Sequence, residues 1–345
     1  MITGVQIEDL RGVRAGGVEG LAPISILVGP NNSGKSTVLE AIAAVGLGAD
    51  ASAVAVLLIR RGGPPLDALA RIISPGAKHA AIVTHHEQDE TWKTQFTLDK
   101  NRDLNHEVAM RNEGLIDPVS RFNVTLDAKV GSHMSGMAYV DAKGKVSNTF
   151  GPFGSDDALF QTEFVDVEAV RATGALEEAY TRIDQTGQLG KVVKSLGRSM
   201  RGLTDLRILK VGTDFVLHTF FESGSPVPAY LAGDGFKRFL EVAAAAVGTT
   251  KGVVLLEEPE SFQHPRYLQE LATLLHLAAR EGTQVILSTH SIELIDLLLH
   301  APEAEQQAYP AVHRMRLFDG KLRATTLDRE HAVIARDELL EDLRS

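Results

Sequence analysis

The sequence predicts an α/β fold with a mixed or parallel core sheet, an antiparallel β layer and an inserted helical lobe. Short apolar runs near both ends of the chain alternate with stretches of helical spacing, and a Gly-rich loop joins one such run to a helix. The middle of the chain carries antiparallel-type runs and then a separate helical stretch. We expect one domain over 1–345, with a core from 1–60 and 205–345, a β-rich layer over 61–170 and a helical lobe over 171–204.

Composition limits the classes of function. With 345 residues and 44% hydrophobic content, the chain can bury a sizeable core. The net charge of -10 excludes a chain that is basic throughout, so any nucleic-acid contact must come from a local patch. The absence of cysteine excludes disulfides, thiolate metal sites and cysteine catalysis. The start MITGVQIEDL is not typical of a signal peptide, and the weakly polar run 41–59 contains Asp50, so we expect a cytoplasmic protein that does not use a membrane.

The first elements are two strands, a loop and a helix. ITGVQIEDL and PISILV are typical of strands, PISILV leads into GPNNSGKST, and VLEAIAAV follows with helical composition. The loop fits GxxxxGK[ST], in which glycines let the backbone wrap around a phosphate, Lys35 reaches the β- and γ-phosphates and the Ser36 hydroxyl binds Mg²⁺. The sequence therefore predicts a nucleoside triphosphate site. Its binding residues are Gly29, Pro30, Asn31, Asn32, Ser33, Gly34, Lys35, Ser36 and Thr37.

The middle of the chain reads first as strands and then as helices. Residues 80–150 contain AAIVTHH, WKTQFTLD, RFNVTLD and MAYVDAKGKV, the last with a hairpin turn. His85, His86 and Glu87 do not indicate a metal site, because neighbouring strand residues point to opposite faces. From 174 to 204 the spacing is helical.

One face of that helical stretch is basic, through Lys191, Lys194, Arg198 and Arg201. Such a face can neutralise the phosphates of DNA or RNA. The alternative is a solvated helix face.

The stretch VVLLEEPESF at 253–262 is an apolar run that stops at two acids. A buried parallel strand that ends in an acid beside a phosphate-binding loop holds Mg²⁺ through its water shell, which assigns that role to Glu257. Glu258 faces differently and can orient and deprotonate the attacking water. The alternative is a pair of solvated acids.

Two more elements complete the pattern. Pro265 begins a helix that ends near Gly282, and its apolar stripe consists of Leu268, Leu271, Leu274, Leu275 and Ala278. QVILSTH then forms a buried strand ending in His290, whose imidazole can contact a γ-phosphate; a structural histidine is the alternative. Upstream, Gly233 and Gly235 precede an Ala-rich helix whose open N-terminus can bind an anion, although a Gly turn before a helix is commonplace.

The order GPNNSGKST, LAGDGFKR, LLEEPE with a following HP, and LSTH resembles the ABC-type ATPases. Within them it is most similar to the short form of the overcoming-lysogenization-defect (OLD) ATPases, without a TOPRIM nuclease domain. The resemblance implies hydrolysis of ATP with Mg²⁺, with Lys35, Glu258 and His290 as catalytic residues. It also implies a head-to-tail homodimer, in which Gly233, Asp234 and Gly235 of one subunit close over the ATP held by the other.

Some positions depart from the family pattern or stay open. Leu231, Gly233 and Arg238 match the signature segment, whereas Ala232, Asp234 and Gly235 stand where the family often has Ser, Gly and Gln. The glutamine that many relatives use to link Mg²⁺ to the helical lobe is Gln88, Gln95 or Gln161. Arg11 and Arg14 approach the nucleotide or are solvated.

The resemblance also guides the expected role. Because the stretch after His290 is short for a nuclease domain, we expect any cutting or toxic activity to belong to a partner chain. We expect a sensor or scaffold subunit that gates a separately encoded effector, a nuclease or a toxin, in anti-phage defence or DNA maintenance. The alternatives are an SMC/RecF-like DNA clamp in repair and a transporter ATPase subunit.

Overall fold

The computed structural model describes residues 1–48, 50–60, 65–99, 119–129, 132–141, 145–150, 160–166, 174–301 and 309–344. Strands in both parallel and antiparallel arrangements are combined with helices, which confirms the α/β fold class. The strands are β1 (Ile2–Leu10), β2 (Val13–Glu19), β3 (Ile24–Val28), β4 (His79–His86), β5 (Thr91–Asp99), β6 (Val119–Lys129), β7 (Ser132–Asp141), β8 (Val146–Phe150), β9 (Thr162–Val165), β10 (Leu203–Val211), β11 (Asp214–Phe221), β12 (Val227–Pro228), β13 (Val253–Glu257), β14 (Gln284–Ser288), β15 (Pro310–Phe318) and β16 (Lys321–Leu327). The α-helices are α1 (Lys35–Gly46), α2 (Ala51–Ile59), α3 (Pro65–Ala70), α4 (Ala175–Gln185), α5 (Leu189–Ser199), α6 (Asp234–Gly248), α7 (Pro265–Arg280), α8 (Ile292–Leu299) and α9 (Arg329–Asp337).

The chain divides into two compact units, of which the first comprises residues 1–21, 30–160 and 315–325. Its strands follow the order β8-β7-β6-β5-β4-β1-β2, with antiparallel pairing between neighbours, and β16 pairs parallel with β2. This confirms antiparallel pairing for the runs between residues 80 and 150. The hairpin turn predicted in MAYVDAKGKV falls on residues 142–144, which lie outside the described residues.

Glycine in β2 permits a close approach between two strands of the first unit. A Cβ atom at Gly17 would lie 1.9 Å from the carbonyl oxygen of Val5 in β1. Any side chain at this position would push the two strands apart, so glycine is required there.

The second unit comprises residues 22–29, 161–314 and 326–345, and its main sheet is parallel. The strand order is β15-β3-β14-β13-β9. Every residue of β3 and β14 is buried, as are the first four of β13. Near-continuous apolar runs of this kind are typical of parallel strands that are covered on both faces.

Helices supply the rest of the core of the second unit. In α7, Pro265 lies in the first turn and the predicted stripe from Leu268 to Ala278 is buried, while Gly282 follows with a φ of +93°. These features confirm the predicted helix and its C-terminal glycine. The helices α4 and α5 confirm the helical spacing after residue 174. Among the described residues, no helix is both long enough and apolar enough to cross a membrane.

Candidate functional site

The Gly-rich loop runs directly from β3 into α1. Gly29 and Gly34 have φ angles of 142° and 92°, and Asn32 has a φ of 62°, in the left-handed region that glycine and asparagine tolerate best. A Cβ atom at Gly34 would lie 3.1 Å from Cδ1 of Leu322. The loop conformation therefore depends on glycine, as the predicted phosphate-binding role requires.

The loop presents groups that suit an anion. Lys35 begins α1, is only 6% exposed and donates from Nζ to the carbonyl oxygen of Pro30 at 3.0 Å. No described side chain caps the N-terminus of α1. The first-turn N–H groups of this helix can therefore donate hydrogen bonds to a phosphate oxygen. The buried Ser33 hydroxyl also lacks a hydrogen-bond partner among the described residues. These residues fit a nucleotide phosphate chain.

In the second unit, the two acids of VVLLEEPESF take different conformations. Glu257 is the last residue of β13, whereas Glu258 has a φ of 46° and leaves the line of the strand. The N–H of Glu258 donates to Ser288 at 3.0 Å, and its carbonyl accepts from Ser261 at 3.0 Å. A non-glycine residue held in the left-handed region is strained, and such strain is common at functional sites. The two acids thus differ in backbone conformation.

The parallel register of this unit brings Glu258 and His290 together. Glu257 pairs with Ser288, and Ser288 pairs with Leu27, so β13 and β14 end on one row, one residue before the end of β3 at Val28. Beyond that row, Nε2 of His290 lies 3.8 Å from Oε1 of Glu258, and the two side chains are 36% and 41% exposed. The phosphate-binding loop continues from the same end of β3. Ligands of open α/β sheets bind at the carboxyl ends of such strands.

Glu260 is a site residue that the sequence analysis missed. Its Oε1 accepts a hydrogen bond from the Thr289 hydroxyl at 2.6 Å and another from the backbone N–H of His290 at 2.9 Å. On the other side, Nη1 of Arg344 donates to the carbonyl oxygen of His290 at 3.0 Å. The main chain of His290 is therefore held by two charged side chains. The one sequence signal was a third acid in EEPE.

Arg238 holds the other end of the acidic segment. It is fully buried on α6, and its Nη2 donates to the carbonyl oxygens of Glu257 at 2.6 Å and Glu258 at 3.4 Å. Nη1 donates to the carbonyl oxygen of Asp166. Burial lowers the pKa of Arg238. Arg238 matches a family pattern in the sequence, but no sequence pattern predicts that it binds these carbonyl groups.

The predicted signature segment opens α6. Gly233 is the N-cap residue, no described side chain caps the helix, and the Asp234 carboxylate pairs with Lys237 at 3.3 Å. A Cβ atom at Gly235 would lie 2.7 Å from the carbonyl oxygen of Phe262. This contact explains why glycine stands where the family often has glutamine.

The position of Gln161 bears on the choice of the Mg²⁺-linking glutamine. Gln161 directly precedes β9, at the amino-terminal edge of the parallel strands, whereas Glu257 lies at the opposite edge of β13. Gln161 therefore lies at the edge of the sheet away from the predicted Mg²⁺ ligand Glu257.

Arg11 is paired with a buried acid and is only partly exposed. Its Nε lies 2.6 Å from Oε2 of Glu40, a fully buried residue of α1 that also pairs with Arg60 at 2.7 Å. The side chain of Arg11 is 22% exposed, so its charge stabilises the helix that carries the loop.

Of the four residues of the predicted basic helix face, Lys191, Lys194 and Arg198 lie on α5, whereas Arg201 lies in a turn after the helix has ended at Ser199. The charge of the face on α5 is partly neutralised. Lys191 pairs with Glu281 at 3.4 Å, and Arg198 pairs with the buried Glu270 at 3.1 Å. These ion pairs reduce the charge that the face can offer to nucleic acid.

The adjacent histidines of β4 have structural surroundings. The His86 ring lies 3.9 Å from the Trp92 ring, centroid to centroid, and burial lowers the pKa of His86 to about 4. Over the described part of the chain, no three His, Cys, Asp or Glu side chains form a group that could hold a metal ion.

Comparison with known proteins gives one family match. A family model described as "AAA domain, putative AbiEii toxin, Type IV TA system" matches residues 24–296. The uncharacterized protein MJECL11 of Methanocaldococcus jannaschii is 36% identical over 74 residues, which are 21% of this chain and 65% of that protein. The match thus spans less than two thirds of that relative.

Solved structures with a similar fold include heads of SMC proteins. The crystal structure of an SmcHead bound to the C-winged helix domain of ScpA has a TM-score of 0.54 and 14% identity, and covers 96% of this chain and 99% of that chain. An Smc head with an extended coiled coil bound to the C-terminal domain of ScpA, derived from Pyrococcus furiosus, has a TM-score of 0.52 and 12% identity, and covers 99% of both chains. At these identities the similarity concerns the fold alone.

Proposed function

This chain belongs to the AAA domain family that matches residues 24–296, and we propose that it is an OLD-like ATPase that hydrolyses ATP with Mg²⁺. The observation that carries the proposal is the pairing of Glu258 with His290, at 3.8 Å, beyond the carboxyl ends of two neighbouring parallel strands. The next strand of the same sheet, β3, leads directly into the loop that suits a phosphate chain.

We assign binding of the triphosphate to the loop 29–37. Its N–H groups and the Lys35 ammonium contact the phosphate oxygens, and the uncapped N-terminus of α1 adds positive potential. The Ser36 hydroxyl and the Glu257 carboxylate are the groups that would hold Mg²⁺. When bound, Mg²⁺ neutralises the charge that develops on the transferred phosphoryl group.

Glu258 is the general base in this proposal. Its partly exposed carboxylate can orient a water molecule and accept its proton, whereas Glu257 is still held in the last pair of the strand. His290, next to Glu258, donates a hydrogen bond to the γ-phosphate. The roles of the two acids follow from their different backbone conformations.

We propose that the active form is a homodimer with two sandwiched nucleotides. In it, Gly233, Asp234 and Gly235 at the open N-terminus of α6 contact the ATP of the other subunit. Large apolar side chains are exposed just before α6 and beside it, with Tyr230, Leu231 and Phe262 at 57%, 66% and 57%. Exposed apolar patches are typical of interaction surfaces.

The ATPase cycle would gate a separately encoded effector, a nuclease or a toxin, in anti-phage defence or DNA maintenance. Two findings support a separate partner: the family description refers to toxin systems, and the similar SMC heads were solved bound to another protein, ScpA. Nucleic-acid binding on α5 is the alternative role. The ion pairs of Lys191 and Arg198 weigh against it.

The substitution Glu258→Gln tests the ATPase proposal. Because the amide cannot accept a proton, turnover should fall by roughly 10²-fold or more while ATP still binds. Glu222→Gln, at an exposed acid in the same unit, is the matched control. With ATP and Mg²⁺, the Glu258→Gln protein should have the mass of a dimer by light scattering. Full turnover in this variant would remove Glu258 from its role, and a wild-type protein without ATP turnover would refute the ATPase proposal.

A further inference from the structure

Glu260 lies in a rigid turn next to the pair of Glu258 and His290. After β13, the N–H of Ser261 donates to the backbone carbonyl oxygen of Glu258 at 3.0 Å, and the N–H of Gln263 donates to the backbone carbonyl oxygen of Glu260 at 2.9 Å. These two bonds close two successive turns. Pro259 between the acids is buried. The backbone that carries Glu258 therefore also fixes Glu260.

The Glu260 carboxylate connects this turn to the end of β14. One oxygen accepts from both the Thr289 hydroxyl, at 2.6 Å, and the His290 N–H, at 2.9 Å. Thr289 is fully buried, and its hydroxyl in turn accepts from the N–H of Ser291 at 2.9 Å. Ser291 is the N-cap of α8. Because one carboxylate oxygen of Glu260 accepts from both the Thr289 side chain and the His290 main chain, this contact fixes the segment that presents the imidazole.

We propose that Glu260 is a positioning residue that sets the distance between the His290 imidazole and the Glu258 carboxylate. It acts through the main chain of His290 and does not itself contact the reacting atoms. The hydrogen bonds to Glu260 hold together the two segments that carry these side chains, in addition to the bond from the Glu258 N–H to the Ser288 carbonyl oxygen at 3.0 Å. This inference rests on the proposed ATPase function, because His290 and Glu258 have roles only in that reaction.

The first test separates catalysis from binding. Misplacement of a catalytic group by about 1 Å can cost roughly 10²-fold in rate, so Glu260→Ala should lower kcat by about that factor. Glu260 lies outside the loop 29–37, so the Kd for ATP should stay within about threefold of wild type. Glu260→Gln keeps an oxygen that can accept both hydrogen bonds, and should restore most of kcat.

A second variant tests whether the effect passes through His290. In a His290→Ala background, Glu260→Ala should cause no further fall in kcat, because the group that it positions is already gone. A normal kcat in folded Glu260→Ala would overturn the proposal. So would a double variant in which Glu260→Ala lowers kcat by the same factor in the His290→Ala background as it does in wild type.

The contact itself can be tested without turnover. Glu260→Ala and Thr289→Val should lower the melting temperature non-additively, because they remove the same hydrogen bond; additive shifts would show that the bond is absent and overturn the proposal. If wild type does not hydrolyse ATP, the ATPase proposal fails whatever this comparison gives. Should Glu260→Ala fail to fold, Thr289→Val is expected to lower kcat and Thr289→Ser to restore it, and a normal kcat in Thr289→Val would contradict the proposal.

Discussion

Glu241 should make the stability of the protein depend on pH. This residue of α6 is 8% exposed, and neither of its carboxylate oxygens has a hydrogen-bond partner among the described residues. Burial raises the pKa of Glu241 from 4.5 to about 7, although the nearby charge of Arg238 opposes this shift. We therefore choose Glu241→Gln, which removes the titrating group and nearly preserves the shape of the side chain.

The sign of the effect follows from the two states. Because the folded pKa is about 7 and the unfolded pKa is 4.5, the unfolded chain loses this proton first as the pH rises. The free energy of unfolding of wild type therefore falls as the pH rises from 4.5 to about 7. At 1.36 kcal/mol per pKa unit, the full loss is roughly 3 kcal/mol. The cost of burying the amide of the variant is the same at every pH and cancels in a comparison of two pH values.

The assay is urea unfolding of wild type and Glu241→Gln at pH 5 and pH 8, followed by circular dichroism. The free energy of unfolding of Glu241→Gln minus that of wild type should be larger at pH 8 than at pH 5, by roughly 2 to 3 kcal/mol. Glu178→Gln, at a side chain that is 72% exposed, is the control and should show no such gain. An equal stability difference at the two pH values would refute the reasoning, since it would mean that Glu241 is ionised normally in the folded protein.

Two further changes test buried charges. Glu40→Ala leaves Arg11 and Arg60 without their shared buried partner and should lower the free energy of unfolding by about 3 to 5 kcal/mol in urea, so a loss below about 1 kcal/mol would contradict the pairing. Burial lowers the pKa of His313 from 6.5 to about 4. As the pH falls, the unfolded chain therefore binds a proton at His313 before the folded protein does. The free energy of unfolding of wild type should fall by roughly 3 kcal/mol between these two pKa values. His313→Gln should flatten this dependence while the exposed His79→Gln should not, and an unchanged pH profile for His313→Gln would contradict the assignment.

Much of the fold could be predicted from local patterns. The runs PISILV, VVLLE and QVILS predict buried parallel strands because both of their faces are apolar. The order of these strands in the sheet could not be predicted from the runs, because it depends on pairing between segments that are distant in the chain. Gln161 illustrates this: its residue type suits an Mg²⁺-linking glutamine, but only the register shows that it lies at the wrong edge of the sheet.

The candidate site divides in the same way. The loop 29–37, Glu257, Glu258 and His290 could be identified because each belongs to a short pattern with its own chemistry. The backbone contacts of Glu260 and Arg238 could not be predicted, although Arg238 matches a family pattern, because they join groups about 20 to 30 residues apart and the sequence has no pattern for such a contact.

These two charged residues meet a need created by the parallel sheet itself. Beyond the last pair of a strand, backbone groups lose their ladder partners, and buried groups must find others. Arg238 donates to the carbonyl oxygens that follow β13, and Glu260 accepts from the N–H that follows β14. Both approach the main chain, so the side chains of Glu258 and His290 stay 41% and 36% exposed. A hydrophobic residue at either position would leave the backbone unsatisfied, so we expect these positions to require a charged or amide side chain even in a variant without catalytic activity.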